Sequence, residues 1–113
     1  MKKFLVLLIV TTVFAQMNSD MSAFMQAMNS AMKRMDQGMS ATPMSGDPDQ
    51  DFTTMMIPHH QGAIDMAKVE LKFGKDPVLR RVAQEILVDQ QSEIDLMRLW
   101  LEKSAAHRAE KGK

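Results

Sequence analysis

Nowhere does the chain alternate apolar and polar residues with period two. Its apolar positions recur every three to four residues, as in amphipathic helices. Three such segments are separated by turn-forming stretches. The first runs from about Ser19 to Met39, with Ser19 or Asp20 placed to cap it and Gly38 near its end. Ser40 to Gln50, SATPMSGDPDQ, is rich in Ser, Pro, Gly and Asp and reads as a loop. The second helix starts near Asp51 and ends before Gly74, with Lys68 and Lys72 suited to its negative end. Asp76-Pro77 supplies an N-cap and a first helical residue for the third helix. That helix runs to about Ala105 and leaves HRAEKGK as a frayed polar tail. The pattern predicts an all-α fold, a small antiparallel bundle with short loops.

On the third helix Leu79, Val82, Ala83, Ile86, Gln90, Glu93, Ile94, Met97, Trp100 and Leu101 share one face. On the second, Phe52, Met55, Met56, His59, Ala63, Met66, Ala67 and Glu70 lie on one side, opposite Gln61, Asp65 and Lys68. Pro58 falls inside this pattern and cannot donate to the carbonyl of Thr54. A kink or a helix start is expected there, beside the histidines.

The segment before the first helix reads as an address. Lys2 and Lys3 precede an apolar stretch of eleven residues, Phe4 to Phe14, and Val13-Phe14-Ala15 suits cleavage after Ala15. Eleven residues fall short of the ~20 a membrane span needs. A bacterial export signal is the expected reading, with a periplasmic or secreted home and no membrane association after cleavage. Losing Lys2 and Lys3 takes the chain from net zero to −2. The division is then residues 1–15, signal peptide; 16–50, a Met-rich helix and linker; 51–105, a helical-hairpin core; and 106–113, a polar tail.

Composition narrows the chemistry. A length of 113 residues allows one small domain, and the zero net charge argues against nucleic acid as a partner. With Cys 0 there is no disulfide, thiolate nucleophile or Cys zinc site, and no acceptor for a lipid anchor. Against that stand 13 Met. Met17, Met21, Met25, Met28, Met32, Met35 and Met39 are spaced by three or four and fall within an arc of roughly 80° on the first helix. No Leu, Ile or Val occurs between Met17 and Asp51.

Leu and Met form helices about equally well, and exchanging them in a core costs less than ~1.5 kcal/mol. Stability therefore does not account for exclusive Met, and sulfur itself is the selected property. Thioether sulfur is a soft, neutral ligand suited to Cu(I) and, by the same softness, Ag(I). It binds without losing a proton. Cys is a liability in an oxidising compartment, where Met remains the available sulfur.

The second cluster is TTMMIPHHQGAIDMA. Around His59 and His60 it sets Met55, Met56 and Met66 at helical spacing, with His59 central on the apolar face and His60 at its edge. Met97 is the cross-bundle partner expected from the third helix. Imidazole and thioether together suit copper better than zinc, which prefers a closed set of His, Cys and carboxylate. Glu70, Gln90 and Glu93 are the inward polar residues. Neither Glu70 nor Glu93 is followed by His three residues on, so a di-iron centre is not expected. These residues are expected to hydrogen-bond each other, Trp100 or the histidines.

The runs DFTTMMIPHHQGAIDMAKVEL, GKDPVLRRVAQEI and QQSEIDLMRLWL resemble the family catalogued as domain of unknown function 305. Its better-studied members are periplasmic copper-binding proteins of the CopM type. The resemblance covers about Asp51 to Leu101. It implies a ferritin-like all-α bundle, copper and silver binding, and a part in copper tolerance. The positions it matches are Met56, His59, His60, Met66 and Met97; the seven-Met helix lies outside it.

Residues and resemblance together predict a non-enzymatic protein that sequesters or transfers Cu(I), with Cu(II) and Ag(I) as further cargo. The metal ligands expected are His59, His60, Met55, Met56, Met66 and Met97 in the bundle, and Met21, Met25, Met28, Met32, Met35 and Met39 on the first helix. The partners expected are the metal ion and another periplasmic copper-handling protein. Imidazole must be neutral to ligate, so the histidine site weakens below about pH 6 while the thioether sites persist. Two alternatives compete: a Met-rich helical interaction module and a methionine oxidant sink cycling through sulfoxide.

Overall fold

The computed structural model describes the backbone of residues 1–113 and every side chain except that of Phe4. Three helices make up the fold: α1 (Lys2–Ser40), α2 (Pro48–Phe73) and α3 (Pro77–Lys111). All-α architecture follows, as the periodicity predicts.

Each helix is longer than the sequence pattern suggests. α1 does not begin at Ser19 or Asp20. It is one helix of 39 residues, about 58 Å long, and passes through the predicted cleavage point unbroken. No Gly or Pro interrupts it before Gly38, and Asp20 accepts a hydrogen bond from Gln16 (3.0 Å) instead of capping. Val6 to Phe14 pack against nothing, and the apolar stretch continues into the Met and Ala beyond it. Together they form a helix long and apolar enough to cross a membrane by length and composition, which is compatible with a membrane anchor as well as with the expected signal peptide. α2 starts three residues before Asp51. Asp47 caps it by accepting from the Asp49 (2.9 Å) and Gln50 (3.3 Å) amides, with Pro48 following. Asp76 does the same for α3 through Val78 (2.9 Å) and Leu79 (3.0 Å). α3 continues to Lys111, because the tail is built of good helix formers with basic residues at the negative end. α2 runs through Pro58, and no new helix starts there.

Asp51, expected to open α2, instead locks the preceding loop. It is buried and accepts from the Ser45 amide and hydroxyl (2.7 Å each) and the Gly46 amide (3.0 Å). The Ser45 hydroxyl, then the Ser45 and Gly46 amides, hold its carboxyl below the ordinary 3.8. Gly46 sits at φ 87°, a turn conformation that favours glycine.

The helices pack as a layer with α2 in the middle. α1 touches α2 and α2 touches α3, while among the described residues α1 and α3 do not meet. The pairings Gly38–Pro58, Met35–Gly62 and Phe24–Phe73 make the first seam antiparallel. His60–Glu93 and Arg80 on the Leu71 and Gly74 carbonyls (2.7 and 3.0 Å) do so for the second. At Gly62 a Cβ would stand 2.6 Å from the Met35 side chain, so glycine is what lets α1 approach here. The core is thin: among the described residues Ala31, Ile64, Ala67, Ala83 and Ile94 are its buried apolar members, and of these only Ile94 is a large, fully buried side chain.

Candidate metal centre

A middle helix buries two opposite flanks, and this reorders the predicted site. The buried positions of α2 are Asp51, Thr53, Gly62, Ile64 and Ala67, split between the α1 and α3 seams. The stripe expected to form the core, Phe52-His59-Ala63-Met66-Glu70, instead lies between the seams and opens to one side, with Phe52 62% exposed. On α3 the predicted core stripe is split in the same way. Ala83 and Ile94 are buried, whereas Leu79, Val82 and Trp100 remain exposed.

The two histidines exchange the places expected of them. His59, predicted to be central, is exposed. His60, predicted at the edge, turns into the α2–α3 seam, where its side chain is only 13% exposed. Adjacent residues on a helix diverge by about 100°, and α3 lies on the His60 side. The rings are 6.1 Å apart, centroid to centroid.

His60 Nε2 pairs with Glu93 Oε2 across the seam, so that of the partners expected for the inward polar residues Glu93 takes a histidine. His60 Nδ1 is buried and has no hydrogen-bond partner, as is the case for Gln90 Oε1 one turn along α3 from Glu93. In the neutral tautomer whose proton sits on Nε2, toward the carboxylate, Nδ1 is a buried lone pair without a partner.

The remaining predicted ligands separate into three settings. Met56 is half-buried on the turn before His60, and the register set by His60–Glu93 and by Phe52 with Trp100 puts it level with half-buried Met97. Met55 is half-buried one position earlier. Met66 lies further along α2, in an apolar pocket with Ala63, Leu79, Val82 and Ile86. On α1, Met28, Met35 and Met39 are half-buried, while Met17, Met21, Met25 and Met32 are 60%, 59%, 55% and 39% exposed.

These settings share one side of the layer. Glu70 lines both the pocket holding Met17, Met21 and Phe24 and the pocket holding Met66, Leu79 and Val82. The Met stripe therefore opens on the same side as His59 and Met66. The other side of α2 presents exposed Gln61 and Lys68, while Lys72 lines the pocket that holds Met17, Met21 and Glu70. Among the described residues no three His, Asp or Glu side chains come together as a cation cage. Nitrogen and oxygen donors come as the His60–Glu93 pair, and the plentiful further donors are thioethers.

Fold and site thus define a small all-α protein whose one open face is lined by thioethers and carries an imidazole. The chain belongs to the family described as "Domain of unknown function (DUF305)", whose profile matches residues 2–101. That match takes in the Met helix along with the histidine hairpin. The chain is also 41% identical over 49 residues to "Uncharacterized protein L153" of Acanthamoeba polyphaga mimivirus, a match covering 43% of this chain and 32% of that protein. The chain thus spans about a third of the length of this relative.

Proposed function

We propose that this protein is exported by its N-terminal apolar segment, cut after Ala15, and sequesters Cu(I) in the periplasm or outside the cell. It passes the ion to another copper-handling protein and so contributes to copper tolerance, as in family members of the CopM type. Ag(I) binds by the same softness, and Cu(II) is further cargo at the imidazole. The observation that carries this reading is the buried, unpartnered Nδ1 of His60. A buried nitrogen lone pair left unmet costs ~1–3 kcal/mol, and a metal ion removes that cost. The donors on that side are thioethers, which favour a soft, monovalent ion over zinc or iron.

The chemistry is coordination without covalent catalysis. Glu93 orients His60, whose Nδ1 offers a nitrogen, and Met56 and Met97 stand level with it to offer sulfur. The Met21–Met39 stripe forms weaker all-thioether sites. Its exposed members, Met21, Met25 and Met32, are where an ion can enter and leave. Retention of an N-terminal anchor would tether the same face to a membrane without changing its ligands.

Anaerobic titration with Cu(I) and Ag(I), read by native mass spectrometry, tests the reading. Several ions are expected per chain, fewer after His59→Ala/His60→Ala, and far fewer when all seven Met of α1 become Leu. A protein that yields every ion to a modest chelator is not a copper carrier.

A further inference from the structure

Trp100, the one Trp of the chain, has no lone pair to give a metal, but it stands beside a residue that does. Met97 precedes it by three positions on α3, which sets their Cβ atoms about 5–6 Å apart. The two line a cavity of about 440 Å³ between α2 and α3, with Asp49, Phe52, Thr53 and Leu96. Neither aromatic ring is buried: Phe52 is exposed and Trp100 is 37% exposed.

The walls of this cavity agree in sign. Thr53 is buried and donates its hydroxyl hydrogen back to the Asp49 carbonyl (2.7 Å), so it presents no donor to a guest. Among the described residues no Lys or Arg lines the cavity, and Asp49 is its one ionisable side chain. The negative charge of Asp49, in the first turn of α2, offsets the positive end of that helix. What remains is a thioether, an indole and a phenyl ring. Aromatic faces are negative and attract cations, Trp most strongly. Sulfur selects the soft ones among cations. Carboxylate, ring and thioether thus favour the same guest, a soft cation.

We propose that Trp100 covers the ion bound at Met97 and makes this end of the α2–α3 seam selective for Cu(I) and Ag(I) over Cu(II). The proposal rests on the copper reading and deepens it. Met56 lies one turn beyond Phe52 along α2, level with Met97, so the two sulfurs stand at the end of the cavity nearer His60. The indole closes the other end. Cu(II) takes tetragonal sets of nitrogen and oxygen donors, water among them, and an indole supplies neither and excludes the water. A soft ion held by sulfur loses nothing there and gains the attraction of the ring.

The chain has no Tyr, so Trp100 emission reports on this place alone. Ag(I) is titrated into the purified protein, with bound ions counted by native mass spectrometry and emission followed in the same samples. Emission is expected to fall as the ion binds. The fall should vanish in Met97→Leu and persist when the seven Met of α1 become Leu. Trp100→Leu should weaken Ag(I) and Cu(I) binding at this site by about 3–10-fold in competition titrations, leaving Cu(II) binding and helicity by circular dichroism unchanged. Trp100→Phe, which keeps an aromatic face, should lose less. Bound ions with unchanged emission overturn the proposal and leave the copper reading standing, as does a fall that survives Met97→Leu. A protein that retains no ion overturns both. Emission that responds to tetramethylammonium and not to Ag(I) overturns the proposal in favour of an organic-cation site.

Discussion

The two seams of α2 are built on different principles. Against α1 the contact is close and nearly backbone to backbone: Gly38 on Pro58, Gly62 beneath Met35, and Ala31 buried between. Its one ion pair, Arg34–Asp65 at 3.6 Å, lies at the surface. Against α3 the contact is a conventional apolar seam of Ile64, Ala67, Ala83 and Ile94, broken once by His60 and Glu93. The first seam sets sulfur along an open edge, and the second holds an imidazole away from water. One small fold thus separates a soft, proton-independent set of donors from a single oriented nitrogen, using different neighbours of the same helix.

Breaking each seam in turn separates them. Ile94→Ala should have the largest effect, destabilising by about 2–5 kcal/mol in chemical denaturation, because this large, fully buried side chain leaves a cavity. Glu93→Ala releases His60 without opening the seam. It should weaken metal binding at His60 by about 10–100-fold in competition titrations and leave the α1 stoichiometry intact. Gly62→Val forces a branched side chain into Met35 and should cost about 1–3 kcal/mol, accompanied by loss of protection in α1 alone.

Acid sharpens the comparison at the loop between α1 and α2. The folded state holds the Asp51 carboxyl below its ordinary 3.8, so the stabilisation is full above that value and is lost as pH falls through the lower, folded one. Asp51→Asn should therefore lower stability at neutrality, where the carboxylate's contribution is fully present, and flatten the profile below about pH 4 in denaturation followed against pH. Smallest of all, Arg34→Ala should shift stability by no more than ~1 kcal/mol, as expected of an exposed ion pair.

Period and punctuation made the helices legible in the sequence. Asp76-Pro77 announced α3, and Asp47-Pro48 carried the same signal for α2, overlooked because Asp51 stood nearer the apolar run. The start of α1 was not legible, since nothing in the chain marks a boundary between the apolar leader and the Met helix. The donor types were legible, but which histidine faces inward was not. Periodicity assigns one buried face per helix, whereas a middle helix buries two. Only the neighbours on either side decide that His60 turns inward and His59 outward. Glu93 as the partner of His60 depends on the same antiparallel register, which no local pattern encodes.

Because α1 and α3 do not touch, the molecule divides into two cooperative units that share a spine. α1 can swing away or fray at the expense of its own seam, while the α2–α3 hairpin keeps its structure. Hydrogen exchange should accordingly be faster along α1 than along α2 and α3. On this topology the helix richest in sulfur is also the one the fold can release most easily, without unfolding the rest.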